Sequence, residues 1–450
     1  MANSRKSSFN LAERVAGALS SVVPRGNSLL VGLSGGVDSV VLLHLLAQIS
    51  PCFSWRLRAM HVHHGISQHA DAWATFCSEL CAQHSIPLQI EHVDITPLRE
   101  MGIEAAARQL RHAALARQEV DFIALAHHRD DQAETLLLQL LRGAGVRGAS
   151  AMPRLKLRDN AASLLRPLLD TDRSELEAYA REHGLRWVED DSNADVNYPR
   201  NFLRHRVLPV LEQRFSAYRT TLARSARHFA EAATLLDELA EQDAGIALQG
   251  ERLSVLALRQ LSQARGKNLL RYFLTTRAAP IPDSTRLAEM LRQLCAARQD
   301  AQLCVSWGGW QLRCYREHAY VLPVAMPACD FSIAWQGEAE IVLPASHGVL
   351  HFEFLAGQGV SRNKLEQGTV QIRSRQGSAT IQPAAARPHR TLRNLLQEHD
   401  VPPWQRELLP LLFCGDELVC VPGLATAAAY QAQAGEPGIV LTWRSGQARS

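Results

Sequence analysis

Residues 28–46 constrain this chain more than any other stretch. An apolar run, Ser28-Leu29-Leu30-Val31-Gly32-Leu33, breaks into Ser34-Gly35-Gly36-Val37-Asp38-Ser39 and then enters an amphipathic stretch that reaches Leu46. A buried strand that turns through a double glycine into a helix builds a phosphate cradle. Gly35 and Gly36 let the backbone turn and approach an anion with no Cβ in the way. The following helix points free N–H groups and its positive dipole end at the same spot. Ser34 and Ser39 can add hydroxyl donors, and Asp38 can hold a metal that bridges phosphates. No lysine follows the glycines, so this is not the GxxxxGK[ST] nucleotide loop. The expected phosphate-binding set is Ser34, Gly35, Gly36, Val37, Asp38 and Ser39, with Asp38 also the expected metal ligand.

The first 200 residues alternate as a parallel sheet requires. Strand-like runs at Leu29–Leu33, Leu57–Val62, Leu88–Val93, Phe122–Ala126 and Leu164–Leu169 are separated by helical patterns near Val37–Gln48, Ala70–His84, Ile103–Gln118, Asp131–Leu141 and Arg173–His183. Such spacing predicts βαβ units and an α/β, doubly wound parallel sheet with helices on both faces. Ligands of such sheets sit at the carboxyl ends of the strands, where the strand order reverses.

A second polar cluster, His127-His128-Arg129-Asp130-Asp131-Gln132-Ala133-Glu134, follows the fourth strand. On a helix Asp131 and Glu134 lie about 60° apart, roughly opposite the apolar stripe of Ala133, Leu136, Leu137, Leu140 and Leu141. Two carboxylates at a strand's carboxyl end can hold Mg2+ or act as a base, and Asp131-x-x-Glu134 also reads as a capping box. His127 is placed to contact the nucleotide. A third cluster joins Trp187-Val188-Glu189-Asp190-Asp191-Ser192-Asn193 to Arg200, Asn201, Arg204 and Arg206 on a helix entered by Pro199. Arginine forks suit phosphate, of ATP or of an RNA backbone.

In this order, the loop 34–39, the run 126–145, Arg166-Pro167-Leu168-Leu169, residues 187–193 and residues 200–209 resemble the tRNA(Ile)-lysidine synthetases, a family of the PP-loop ATP pyrophosphatase superfamily. Glu104-Ala105-Ala106-Ala107-Arg108 is similar to that family's helix before strand four. The match spans about residues 25–215 and extends more weakly to the C-terminus. Two positions depart from it: His112 stands where the family often has tyrosine, and Phe202 where many members have arginine. The resemblance implies a concrete reaction: ATP activates the 2-carbonyl oxygen of the wobble cytidine in an isoleucine tRNA with a CAU anticodon, and the lysine ε-amine displaces AMP to give lysidine. The partners implied are that tRNA and free lysine, with Mg2+ as cofactor and a homodimer allowed. Asp131, Glu134 and Arg206 join Asp38 as expected catalytic residues, and Arg200, Asn201 and Arg204 as tRNA contacts.

Beyond Phe215 the alternation stops. Residues 216–300 are mostly helical, and Gly308-Gly309 marks a hairpin. The proline-bearing stretch Pro323–Gly348 reads as a junction into a last, α+β domain. The expected division is 1–215 catalytic, 216–325 helical and tRNA-recognising, and 345–450 tRNA-binding. Between Val370 and Pro410 six arginines (373, 375, 387, 390, 393, 406) face three acids, Glu398, Asp400 and Glu407. Of these, Arg373, Arg390 and Arg393 are expected to meet the tRNA backbone.

Composition narrows the alternatives. A net charge of +3 leaves nucleic-acid contact to local basic patches. No apolar run approaches 18 residues, so no membrane span is expected. The first residues lack an apolar signal core, which predicts a cytoplasmic protein. Nine cysteines with no CxxC pair read as free thiols. Thiolation of tRNA, which runs on the same loop, calls for such a pair or for catalytic cysteines. A glutaminase relative would need a nucleophile at position 2, where alanine stands. A non-catalytic RNA-binding relic is the remaining class, and the intact loop argues against it.

Overall fold

The computed structural model describes residues 2–158, 161–190, 195–298, 303–324, 327–375, 379–384 and 388–446. Asp191, Ser192, Asn193, Arg387 and the side chain of Glu104 lie outside the described residues. The chain forms two compact units, residues 1–235 and 236–450.

The first unit is built on a six-stranded sheet. Its elements are α1 (Ala2–Ser20), β1 (Ser28–Gly32), α2 (Val37–Phe53), β2 (Arg56–His63), α3 (Ala70–Gln83), β3 (Leu88–His92), α4 (Ile103–Ala116), β4 (Phe122–Ala124), α5 (Arg129–Leu141), α6 (Val146–Ala149), β5 (Leu155–Lys156), β6 (Ser163–Leu165) and α7 (Arg173–Glu182). The strand order is β3-β2-β1-β4-β6-β5, parallel except for β5 at the edge. The chain runs outward from β1 to β3, then crosses to β4. The order therefore reverses between β1 and β4, and the crevice outside their carboxyl ends is where a ligand belongs.

Strand periodicity explains the layering. Leu29 and Val31 pack with α1, α2, α3 and α7 on one face, while Leu30 packs with Ala114 and Leu115 of α4 on the other. All three β1 residues are fully buried, each stabilising the fold by about 1.5–3 kcal/mol relative to exposure. α2 is apolar nearly all round and buried on most of its surface, as a helix between a sheet and α1 and α7 must be. Two elements escape the sequence reading. The helix α1 covers one face before the first strand begins. The two-residue antiparallel β5 carries no alternation to detect.

A 30-residue helix, Tyr218–Ala247, continues from the first unit into the second. In the second unit a five-stranded antiparallel sheet packs Leu312, Ala319 and Val321 against Leu269, Leu270 and Phe273 of the helix Gln263–Thr276 and Leu287 of Ser284–Ala296. The predicted hairpin is there: Gly308 and Gly309 turn with φ 49° and 80°, which only a primed turn requires. The C-terminal part is β-rich, with a five-stranded and a four-stranded sheet and short helices such as Leu392–Glu398. Its first strands, Ser332–Ala334 and Glu340–Val342, fall inside the stretch read as a junction. Ile333 there packs inward between Phe331 and Trp335.

Candidate active site

The loop after β1 is braced from within. Ser39, buried at the start of α2, accepts hydrogen bonds on its hydroxyl from the amides of Ser34 and Gly35, both at 3.2 Å, and donates to Gly36 O at 3.0 Å. Its oxygen also lies 3.1 Å from that of Ser34. The two hydroxyls expected to face phosphate thus hold each other and the loop. Gly35 has φ +89°, and a Cβ there would sit 2.7 Å from a Val188 methyl. Val188 donates its amide to Gly35 O at 3.0 Å. The Trp187–Val188 segment is therefore the wall of the loop, a role its sequence did not reveal. Gly36 has φ −71°, and a Cβ there would meet only the Ser34 hydroxyl, at 3.6 Å. The amides of Val37 and Asp38 open α2 and are left for an anion, since the first N–H groups of a helix have no partner within it.

Asp38 stands in the first turn of α2. One carboxylate oxygen, Oδ1, is buried without a hydrogen-bond partner, and the other lies 3.5 Å from Nε2 of His128. His128, 1% exposed, is the N-cap residue of α5. Asp131 Oδ2 is 3.4 Å from the same Nε2, and Asp130 Oδ2 is 3.5 Å from Nδ1. The capping box is shifted by one turn from the expected one. The His128 amide donates to Asp131 Oδ2 at 3.0 Å, because the helix starts at Arg129 rather than at Asp131. Glu134 is left free of capping and is held elsewhere.

Glu134, 1% exposed, takes both arginines of the third cluster. Arg204 grips it through Nε to Oε1 at 2.7 Å and NH2 to Oε2 at 2.9 Å, and Arg200 Nε donates to Oε2 at 2.7 Å. Arg200 also reaches Asp131 Oδ1 at 2.8 Å, with Arg204 3.4 Å from the same oxygen. The forks expected to face phosphate are thus filled by the two carboxylates. They arrive from a helix (Pro199–Phe202) that runs into a π-helical turn, Leu203–Val207, before Leu208–Arg214. Arg206 leaves that turn on an exposed side and makes none of these ion pairs. Asn201 Nδ2 donates to Asp195 O at 3.0 Å, fastening the preceding turn.

Electrostatics follow from this crowding. Burial drives both histidines toward the neutral form. For His127 burial wins, and its pKa falls to about 3. For His128 burial is overcome by Asp131, Asp130 and Asp38, and its pKa rises to about 10. Burial would raise Asp131, but His128 and Arg200 outweigh it and hold it at about 2. Asp130 falls well below the usual range, with His128, the Arg173 amide and Arg219 opposing its burial. Arg219 ties Asp130 to Glu212. His128, Asp130 and Arg219 are parts of the site that sequence reasoning missed. The doublet after β4 was visible, but nothing in it says which histidine turns inward.

Among the described residues no three His, Cys, Asp or Glu side chains form a metal cage. Asp38, with its orphaned buried oxygen, suits Mg2+ instead, a cation that takes one or two carboxylates and completes its shell with water and substrate phosphate. The C-terminal arginines are partly engaged. Arg373 donates to Gly415 O at 2.9 Å, Arg390 pairs with Glu398, and Arg393 is exposed on the helix Leu392–Glu398. All nine cysteines are free, and no helix among the described residues is long and apolar enough to cross a membrane.

A parallel sheet with this glycine loop at its switch point, and a carboxylate–arginine cluster beside it, defines a PP-loop, ATP-using enzyme. The PP-loop domain model matches residues 9–211, the TilS substrate binding domain residues 253–320, and the TilS substrate C-terminal domain residues 370–443. The chain is 46% identical to the tRNA(Ile)-lysidine synthase of Nitrosomonas europaea over 94% of its own length and 93% of the relative's. It is 40% identical to that of Azoarcus sp. BH72 (92% and 91% covered) and 37% identical to that of Coxiella burnetii (91% of each). The chain belongs to the tRNA(Ile)-lysidine synthase family and is an ATP-dependent ligase.

Proposed function

We propose that the protein converts the wobble cytidine of an isoleucine tRNA with a CAU anticodon to lysidine, using ATP and free lysine. The observation that carries this reading is the shared position of Asp38 and Asp131 on one His128 nitrogen. It joins an ATP loop to an ionised carboxylate at a single point of the crevice.

Two steps follow. The 2-carbonyl oxygen of the cytidine attacks the α-phosphorus of ATP, the bond from that phosphorus to the bridging oxygen breaks, and pyrophosphate leaves. The lysine ε-nitrogen then attacks carbon 2, the carbon–oxygen bond breaks, and AMP departs with the oxygen. The first step needs positioning and charge neutralisation rather than a protein nucleophile. The amides of Val37 and Asp38 bind phosphate, and Gly35 lets it approach. Mg2+ on Asp38 would supply further neutralisation. His127, neutral, faces the nucleotide. Asp131, more accessible than Glu134 and ionised at neutral pH, receives and orients the lysine ammonium, and the proton lost before attack passes to water, since a carboxylate held at about 2 is too weak a base to keep it. Glu134 fixes Arg200 and Arg204, which hold Asp131 in place and leave cationic edges toward the anticodon backbone, with Asn201 and Arg206 alongside.

Residues 1–215 carry this chemistry in the proposal. Residues 216–325 and 345–450 bind the tRNA, the latter through Arg373, Arg390 and Arg393. An incubation of the protein with tRNA and α-labelled ATP, lysine omitted, tests the order of steps. Label transferred to the tRNA and released as AMP on adding lysine is the expected result. Label found on lysine instead contradicts it.

A further inference from the structure

The C-terminal part of the second unit contains a cavity of about 330 Å³ lined by Ala328, Cys329, Asp330, Ser374, Arg375 and Glu407. Its walls are fixed. His347, fully buried beneath, lies with Nδ1 2.9 Å from Leu408 O and Nε2 2.9 Å from Cys329 O, so one imidazole staples both sides. Ser374, also buried, accepts from the Phe331 amide at 3.2 Å and donates to Asp330 Oδ1 at 3.1 Å, which aims that carboxylate. Among the described residues Arg375 and Glu407 form no ion pair, although both line the same cavity.

Two carboxylates are out of place here. Between Val370 and Pro410 arginines outnumber acids six to three. A surface that binds only phosphate gains nothing from Asp330 and Glu407, which repel it. Carboxylates are useful against RNA when they accept hydrogen bonds from base amines, as Asp and Glu do with the cytosine amino group. Sequence reading of RNA falls mostly on unpaired bases, whose edges are open. The volume sits at the small end of ligand pockets, which run from roughly 300 to 1,000 Å³. It admits one nucleotide and not a helix.

We infer that this cavity takes one unpaired nucleotide of the tRNA whose base carries an exocyclic amine, with Glu407 and Asp330 accepting from the base and Arg375 on its phosphate. The inference rests on the reading that residues 345–450 bind tRNA. Its test uses the sign of an effect. If Glu407 merely repels RNA, Glu407→Gln tightens tRNA binding by the full-length protein. If it accepts from a base, the same variant weakens binding about tenfold, the scale of one good base contact, and leaves the salt slope unchanged because no phosphate contact is lost. Arg375→Ala should weaken binding and lower the slope by about 1. A preference for short cytidine oligomers over uridine oligomers should shrink in Glu407→Gln. Tighter or unchanged binding in Glu407→Gln, with Arg375→Ala still weakened, overturns the base pocket and leaves the tRNA surface standing. No effect of either variant overturns both. Glu407 is exposed, so its replacement leaves the fold intact.

Discussion

Asp38, in the first turn of α2, and Asp131, in the first turn of α5, face the same nitrogen of a buried histidine, His128 Nε2, at 3.5 and 3.4 Å. The two helices follow neighbouring strands, β1 and β4, on either side of the switch point. Like charges so close would repel in a site of low dielectric. Between them His128 is driven toward its charged form, and Arg200 and Arg204 neutralise Asp131 from the far side. Asp131 stays ionised and, in the proposed reaction, serves the amine, with Asp38 on the nucleotide side.

Asp38→Ala should abolish AMP formation while leaving fold and tRNA binding intact. The orphaned Oδ1 has no partner within the protein, and losing Oδ2 beside His128 leaves that histidine Asp130 and Asp131, so the effect falls mainly on the loaded site. AMP release and thermal melting, measured on one preparation, separate the two. AMP release at the wild-type rate would remove Asp38 from the chemistry.

Asp131→Asn and Glu134→Gln should differ in kind. Glu134 is buried under two guanidinium groups, and removing one partner of such a cluster costs about 3–5 kcal/mol. Glu134→Gln should therefore melt earlier and lose lysine transfer with it. Asp131→Asn keeps its hydrogen bond to the His128 amide and should raise the lysine KM with a smaller loss of stability. Equal lysine KM in Asp131→Asn and wild type would confine Asp131 to capping.

The two glycines of the loop make an internal control. Gly35→Ala meets a positive φ and Val188, and should cost about 1–3 kcal/mol and raise the ATP KM severalfold. Gly36→Ala, at ordinary φ and with only a van der Waals contact to the Ser34 hydroxyl, should be tolerated. Comparable ATP KM values in both variants would show that loop shape does not depend on Gly35.

Between α2 and α7, His44 meets His84, His183, Gln48 and the Tyr179 hydroxyl, to which its Nδ1 is 3.0 Å distant. Burial, then His183 and His84, lower its pKa to about 4, against 6.5 unfolded. Between those values the unfolded chain binds more protons, so this contribution to stability is present above pH 6.5 and is lost as the pH falls toward 4. Melting temperatures of wild type and His44→Gln across pH 4–7 should converge at the acid end. Parallel curves would mean that His44 does not titrate with unfolding.

The sheet and the loop were legible because their physics is local: buried strands read as apolar runs, and a glycine pair between a strand and a helix has few other uses. The carboxylates were legible by the same strand-end logic. Their partners were not. Arg200 and Arg204 are 66 and 70 residues from Glu134, and spacing alone cannot distinguish a fork filled by carboxylate from one open to phosphate. Val188 against Gly35 and His128 between three aspartates arise only once strands β1 and β4 stand side by side. The helix α1 lacked a distinguishing pattern because charged and small residues interrupt its apolar positions.

The most direct measurement offers the protein radiolabelled lysine and ATP with an isoleucine tRNA bearing CAU, and in parallel with the methionine tRNAs that bear the same anticodon. Lysine should enter the isoleucine tRNA alone, in one-to-one ratio with AMP formed. Absence of lysine incorporation, or equal incorporation into the methionine tRNAs, would contradict the proposed function.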